Sequence, residues 1–370
     1  MTTTAIPPTV QSGLEGVVAF ATQIAEPDRE GGALRYRGVD IEDLVGAVPY
    51  ENVWGLLVDG TFAPGLQPTE ARPLPVRTGD PRVDVQAALA MLAPECGLRP
   101  LIDSSDEEAR DALNLASVMA MSFVAQSARG VDRPMVAHGD VATARTLAER
   151  FLLRWRGEAD PRHAKALDAY WVSAAEHGMN ASTFTARVVA STGADVAAAL
   201  SAGVGALSGP LHGGAPSRVL AMLDEVERTG DADRWVRDAL DRGERLMGFG
   251  HRIYRAEDPR ARVLRRTARE LGSRRFEVAE ELERAALAEL AARRPDRVLA
   301  TNVEFWSAVI LDLADVPPEL FASMFTCARM AGWSAHILEQ KREGRLIRPT
   351  AAYVGSPARP LAAAGWAPPA

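Results

Sequence analysis

The sequence predicts an all-α protein that carries one small N-terminal β-hairpin. Strand signals are confined to residues 17–37. From Ser105 onward, helical periods recur between Gly, Pro, Asp and Asn residues that start and stop helices. Neither the strand–helix alternation of a parallel sheet nor the repeat period of a solenoid is present. Aromatic residues make up only 6% of the chain while Ala is abundant, which favours closely packed helices.

In chain order, Val17, Val18, Phe20 and Ile24 precede the run 26–32, and Ala33-Leu34-Arg35-Tyr36 follows it. Asp28 and Gly31-Gly32 supply the turn of the expected hairpin. Ser105-Asp106-Glu107-Glu108 is a capping box ahead of a helix over 109–129, which Gly130 stops. Further helical periods fall at 141–156, 162–176, 181–191, 195–208, 216–229, 233–246, 260–271, 275–293, 303–313 and 318–342. No charge lies between Asp195 and Arg218, but Ala, Gly and Ser dominate there, and Gly209-Pro210 and His212-Gly213-Gly214 interrupt it. A membrane span needs about 20 strongly apolar residues, so a buried helix of small side chains is expected instead. The segment 224–300 is richer in Arg and Glu than 181–223, which suggests a smaller, more solvated unit after a well-buried one. The tail over 357–370 has too much Pro for a packed element.

The charge balance excludes whole classes of function. The chain carries 42 Lys+Arg against 49 Asp+Glu, a formal charge of −7. Only Lys165 and Lys341 are lysines, and neither follows a Gly-rich turn, so there is no Walker phosphate loop. Neither lysine has a motif supporting Schiff-base chemistry. An acidic chain is also a poor non-specific nucleic-acid binder, because that binding is driven by neutralising phosphates. Any anion held here must be held by locally placed Arg. Cys96 and Cys327 are too few and too far apart for a disulfide framework or a Cys-based zinc site. The start, MTTTAIPPTV, has neither a basic nor an apolar signal region. A cytoplasmic protein without membrane or nucleic-acid partners is expected.

Six histidines are present, and three lie in Gly-rich, polar settings. His212 sits in Ser208-Gly209-Pro210-Leu211-His212-Gly213-Gly214-Ala215-Pro216, directly before a helix whose N-terminus favours a neutral imidazole. Glycine there lets a substrate approach the backbone closely. His251 sits in Gly248-Phe249-Gly250-His251-Arg252-Ile253-Tyr254-Arg255, followed by Asp258-Pro259-Arg260, a setting that suits a carboxylate or phosphate. His177 lies at a helix break in Glu176-His177-Gly178-Met179-Asn180-Ala181-Ser182-Thr183. No His pair stands at i,i+4 and there is no HExxH, so a metal site is not expected. The Gly-x-Ser-x-Gly elbow of a serine hydrolase is absent.

Several motifs in order carry a family resemblance. Ser12-Gly13-Leu14-Glu15-Gly16-Val17-Val18-Ala19 and Leu34-Arg35-Tyr36-Arg37-Gly38 come first, followed by the three histidine segments. Asn302-Val303-Glu304-Phe305, the segment from Ala328 to His336, and Arg348-Pro349 complete the set. The chain resembles the citrate synthase family from about Gly13 to Gly355, in its short, dimeric bacterial form.

The resemblance implies condensation of acetyl-CoA with oxaloacetate and hydrolysis of the resulting thioester, the entry step of the tricarboxylic acid cycle. His212 would hydrogen-bond the thioester oxygen, His251 would polarise the oxaloacetate carbonyl, and Glu304 would be the base. His177, Asn180, Arg260 and Arg329 would bind or line the oxaloacetate site, with Arg348 reaching in from the other subunit. Leu246, Gly248, Phe249, Gly250 and Arg255 would contact CoA. It implies no cofactor, acetyl-CoA being a co-substrate. A large domain of 1–213 and 316–370 would receive a small inserted domain of 214–315, and closure of the two would assemble the site. His336 is expected to be structural and Trp333 to serve packing. The departure is Glu304, where the family has Asp. It would serve as a base after backbone adjustment, or mark tuning for another acyl-CoA, or mark an impaired paralogue. The relative that uses propionyl-CoA, 2-methylcitrate synthase, shares every motif quoted.

Overall fold

A computed structural model of the chain describes residues 12–14, 16–28, 30, 32–130, 132–209, 212, 216–250, 257–297 and 299–365. These fall into two units, Thr22–Leu346 and a unit made of Met1–Ala21 with Ile347–Ala370. The first unit opens with three short strands, β1 (Ala25–Asp28), β2 (Ala33–Tyr36) and β3 (Val39–Asp40), in antiparallel order β1-β2-β3. The rest is helical: α1 (Ile41–Leu44), α2 (Tyr50–Asp59), α3 (Pro81–Cys96), α4 (Asp106–Arg129), α5 (His138–Ala142), α6 (Leu147–Arg156), α7 (Pro161–Ala174) and α8 (Ala181–Ser191). Then come α9 (Val196–Leu207), α10 (Pro216–Thr229), α11 (Ala232–Asp241), α12 (Pro259–Glu270), α13 (Phe276–Arg293), α14 (Val303–Leu313) and α15 (Phe321–Glu343). The fold is all-α with one small sheet, as the sequence predicts.

The hairpin is real but displaced. Its first arm is Ala25–Asp28, pairing Ala25 with Tyr36, whereas the expected arm around Val17 and Val18 is not a strand. Val18 is 89% exposed. What decides the register is burial of Leu34 and Tyr36 on one face of β2. The expected helix over 141–156 is two helices, because Thr146 caps α6 with a second capping box closed by Glu149. The helix expected over 233–246 ends at Asp241, ahead of Gly243 in the left-handed region. Helices α2 and α3 were not expected from periodicity. The Ser105–Glu108 capping box starts α4 as the sequence indicates.

Helix α15 is the hub of the core. It packs against α2, α4, α7, α8 and α9 and is buried along nearly its full length. The uncharged α9 packs on α3 and α8. There Gly203 lies flat on the Trp333 ring, where an added Cβ would come 3.1 Å from it. Helices α12 and α14 pack on each other and both touch α7. Elements from the two halves of the sequence therefore meet at α7, where the candidate residues gather. Among the described residues, no helix is long and apolar enough to cross a membrane.

Candidate active site

Two buried guanidiniums define the site. Arg329, on α15, is 2% exposed, and Arg260, at the start of α12, is 3% exposed. Arg260 is gripped by Asp258, which accepts from its Nε at 3.0 Å and from its Nη2 at 2.7 Å. Asp258 is also the N-cap of α12 and accepts from the Val303 N–H at 3.1 Å, so one carboxylate joins the starts of α12 and α14. Arg329 is held differently. Its nearest carboxylate oxygen, Glu176 Oε2, stands 3.9 Å away, and its Nε and Nη1 have no hydrogen-bond partner among the described residues. Burial depresses the Arg329 pKa, Glu176 opposes that shift, and the like charge of Arg260 adds to it. The buried Tyr170 hydroxyl on α7 feels the charges of Arg329, Arg260 and Glu304.

His177 is buried in the break between α7 and α8. The break is clamped by the Tyr36 hydroxyl, which lies 3.0 Å from the Val172 carbonyl and 3.2 Å from that of Glu176. Gly178, at φ +65°, passes so close to Pro27 that a Cβ would lie 3.3 Å from its Cγ. The hairpin thus supports the histidine segment from behind. Asn180 has its Oδ1 committed to the start of α8, accepting from Thr183 N at 3.1 Å and from Ser182 Oγ at 2.8 Å.

His212 is oriented by Ser182. Its Nε2 accepts the Ser182 backbone N–H at 3.3 Å and lies 2.9 Å from Ser182 Oγ. A neutral ring that accepts at Nε2 carries its proton on Nδ1. Burial, reinforced by the Arg329 charge, lowers the His212 pKa and keeps the ring neutral at physiological pH. Phe325 meets the ring edge-on at 6.3 Å, and the Arg329 guanidinium lies 4.8 Å from the centre of the same Phe325 ring. Trp333 does more than pack, since its Nε1–H donates to Ser182 Oγ at 3.2 Å.

Glu304 lies in the first turn of α14, where its N–H donates to the N-cap Asn302 at 2.9 Å. Burial raises its pKa above the ordinary 4.5; Arg260 and Arg245 oppose the rise, and Asp258 adds to it. The segment before His251 is latched to the segment before Glu304. Gly250 N–H donates to Ala300 O at 2.7 Å, Asn302 N–H to Gly248 O at 2.9 Å, and Asn302 Nδ2 to Gly250 O at 2.9 Å. Leu246 and Phe249 are buried, and Phe249 packs on Phe305 at 5.3 Å. His251 and Arg255 lie outside the described residues. Arg348 is exposed and belongs to the unit of terminal segments.

The structure thus gathers His177, His212, Arg260, Glu304 and Arg329 around α7, α8 and α15. Sequence reading missed Glu176, Ser182, Tyr36 and Asp258. Glu176 and Ser182 lie inside the His177 motif, so adjacency was the available signal. Tyr36 gave none, because its clamp spans 140 residues. His336, as expected, is a buried structural group, 3.4 Å from Glu176 and 3.1 Å from Arg187. Among the described residues, no cluster of His, Cys, Asp or Glu could hold a metal ion.

The family model "Citrate synthase, C-terminal domain" matches residues 13–350. "Putative citrate synthase 2" of Mycobacterium tuberculosis is 65% identical over 365 residues, covering 98% of each chain. The citrate synthase of Haloferax volcanii is 36% identical, covering 94% of this chain and 96% of its own. Among solved structures, the Thermoplasma acidophilum citrate synthase in ternary complex with carboxymethyl coenzyme A and oxaloacetate superimposes with a TM-score of 0.79. It is 26% identical, with 96% of this chain and 99% of that chain covered.

Proposed function

The chain belongs to the citrate synthase family of acyltransferases, and from that premise we propose that it condenses acetyl-CoA, oxaloacetate and water to citrate and CoA. The observation that carries this reading is Arg329, a buried guanidinium with two donors unmet among the described residues, beside a second buried guanidinium. A buried cation with unmet donors suits a carboxylate ligand, which Arg binds through paired, charge-assisted hydrogen bonds. Oxaloacetate, a bound ligand of the Thermoplasma relative, has two carboxylates for the two guanidiniums.

Glu304 takes a proton from the acetyl methyl group. His212, neutral and protonated on Nδ1, donates to the thioester oxygen and stabilises the enol(ate). The carbanionic carbon attacks the oxaloacetate ketone, whose oxygen His251 polarises and protonates. Water then cleaves citryl-CoA, releasing CoA and the third carboxylate of citrate. His177, Arg260 and Arg329 position the dicarboxylate, Asn180 shapes the His177 segment, and Arg348 of the partner subunit completes the pocket. Leu246, Gly248, Phe249, Gly250 and Arg255 form the CoA side.

In this reading the protein is a cytoplasmic homodimer that uses no cofactor. Residues 214–315 form a small domain inserted in a large one of 1–213 and 316–370. Groups for each substrate come from both domains, His177, His212 and Arg329 from the large one and Arg260 and Glu304 from the small one, so closure on oxaloacetate assembles the site and excludes water.

Steady-state CoA release with oxaloacetate and either acetyl-CoA or propionyl-CoA tests the proposal. A higher kcat/KM with acetyl-CoA is expected. A clear preference for propionyl-CoA overturns the choice in favour of 2-methylcitrate synthesis, and no turnover of either thioester overturns the reaction itself.

A further inference from the structure

Away from the catalytic residues, Arg154 of α6 is a buried cation with no counter-charge among the described residues. It is 7% exposed, and no carboxylate of the described residues lies within ion-pair distance of it. Its one hydrogen bond among the described residues runs from Nη1 to Ser122 Oγ at 2.8 Å, leaving Nε and Nη2 without partners there. The charge that bears on it is the like charge of Arg150, one turn earlier, and burial together with Arg150 lowers its pKa to about 10. The two remaining donors reach solvent, so with no carboxylate beside it among the described residues this largely buried guanidinium is balanced only by what solvent supplies.

The surroundings show which partner fits. Arg154 and Arg150 line a cavity with Thr69 and Ser122, walled by apolar side chains that include Val118 and Phe151. The polar side chains are all donors in search of acceptors. Thr69 Oγ1 is buried and has no hydrogen-bond partner. Ser122 Oγ already accepts twice, from Arg154 and from Gln126 Nε2 at 3.1 Å, so its own proton is free to point elsewhere. Arg150 spends Nη2 on the Ala144 carbonyl at 3.1 Å. Glu51, whose carboxyl feels the Arg150 charge, accepts from the Leu147 N–H at 3.4 Å and is not part of the cavity wall. The cavity volume is ≈ 10 Å³. That is about one water's worth of room, so a chloride, slightly larger than water, must spread the wall a little, and a phosphate is excluded.

We propose that this cavity is a small-anion site, in which Arg154, Arg150, Ser122 and Thr69 hold one chloride-sized ion. The ion neutralises Arg154 and joins α4, α6 and the segment at Thr69, so it stabilises the folded chain without touching substrate. Binding to the folded state alone adds stability by mass action.

The test is thermal unfolding of the purified protein in sodium chloride against sodium gluconate at constant ionic strength. Wild type is expected to gain about 2 °C in Tm per tenfold rise in chloride above its dissociation constant. Arg154→Met is expected to show no such slope while keeping CoA release intact. Crystals soaked in bromide should show an anomalous peak between Arg154 and Arg150, a readout that stands even where the variant fails to fold. Equal Tm of wild type in the two salts, an unchanged slope in Arg154→Met, or a bromide-free cavity overturns the proposal.

Discussion

Glu176 and Arg329 are both buried, and Glu176 Oε2 approaches Arg329 Nη1 to 3.9 Å without forming a hydrogen bond. The carboxylate balances the charge of Arg329 while leaving its donors free. It has room to do so only because residue 332 is Gly, where a Cβ would overlap Glu176. Desolvation acts to raise the Glu176 pKa, but His336 and Arg329 outweigh it and hold the group ionised.

Glu176→Gln removes that balance and leaves Arg329 buried with Arg260. Breaking a buried pair from one side costs about 3 kcal/mol, so the variant is expected to unfold at lower temperature. Oxaloacetate, arriving as a dianion, replaces part of the lost charge. The Tm gain on adding oxaloacetate should therefore be larger in the variant than in wild type. An unchanged or smaller gain would show that Glu176 does not balance the substrate-binding cation.

Ser182→Ala isolates the support of His212. The backbone N–H of residue 182 still donates to Nε2, so the tautomer survives, but the Oγ contact at 2.9 Å is lost and Trp333 Nε1 is left without its acceptor. With the Ser182 proton given to Asn180, the variant removes an orienting contact rather than a hydrogen bond to the ring, and about 1.4 kcal/mol of transition-state support corresponds to tenfold in rate. The expected result is a kcat about tenfold lower, with KM for oxaloacetate unchanged. A raised oxaloacetate KM at unchanged kcat would instead place Ser182 on the dicarboxylate.

The helices that carry the site were legible because each begins with a cap readable in one dimension: Asn180, Asp258 and Asn302 all accept from the first turn of their helix. The displaced first strand was not, because the apolar run around Val17 looks more strand-like than Ala25–Asp28 until burial of Leu34 and Tyr36 sets the register. Helix α3 was hidden for a related reason: Pro94 lies inside it and Val85, Leu89 and Leu92 form only a thin apolar stripe. For the site, motifs pointed to the residues proposed to face substrate. They could not show Tyr36 or Glu176 as supports, because a clamp between distant segments has no spacing of its own.

Gly248→Ala tests the latch on the proposed CoA side. Gly248 has φ +87°, and a Cβ there would lie 2.8 Å from Phe305 Cβ. The substitution forces apart the segment that pairs Phe249 with Thr301, at a strain of about 1–3 kcal/mol. Raised KM for the thioester and lower stability are expected together. Gly243→Ala is the control, with φ +78° but nothing within 4 Å of an added Cβ. It should lose some stability and leave the thioester KM alone. Equal effects on KM from both variants would mean that the contact with Phe305 is irrelevant to CoA binding.

Glu304 links activity and stability in opposite directions. As the proposed base it must be ionised, and burial raises its pKa above 4.5, so the acid limb of kcat/KM should lie above the ordinary carboxylate range. His212, with its pKa lowered below 6.5, remains neutral and adds no limb at the usual imidazole position. For stability the sign runs the other way. A carboxyl whose folded pKa exceeds its unfolded pKa costs nothing below the unfolded value, and its ionised form is penalised as pH rises through the folded value. Glu304→Gln removes that penalty. The variant should lose about 10²–10⁴ in kcat, yet unfold at higher temperature than wild type at neutral pH, with the gain fading as pH falls toward 4.5. Paired pH series of rate and Tm measure both. A Tm gain that persists unchanged at acid pH would show that the buried charge is not its cause, and retained kcat would remove Glu304 from the role of base.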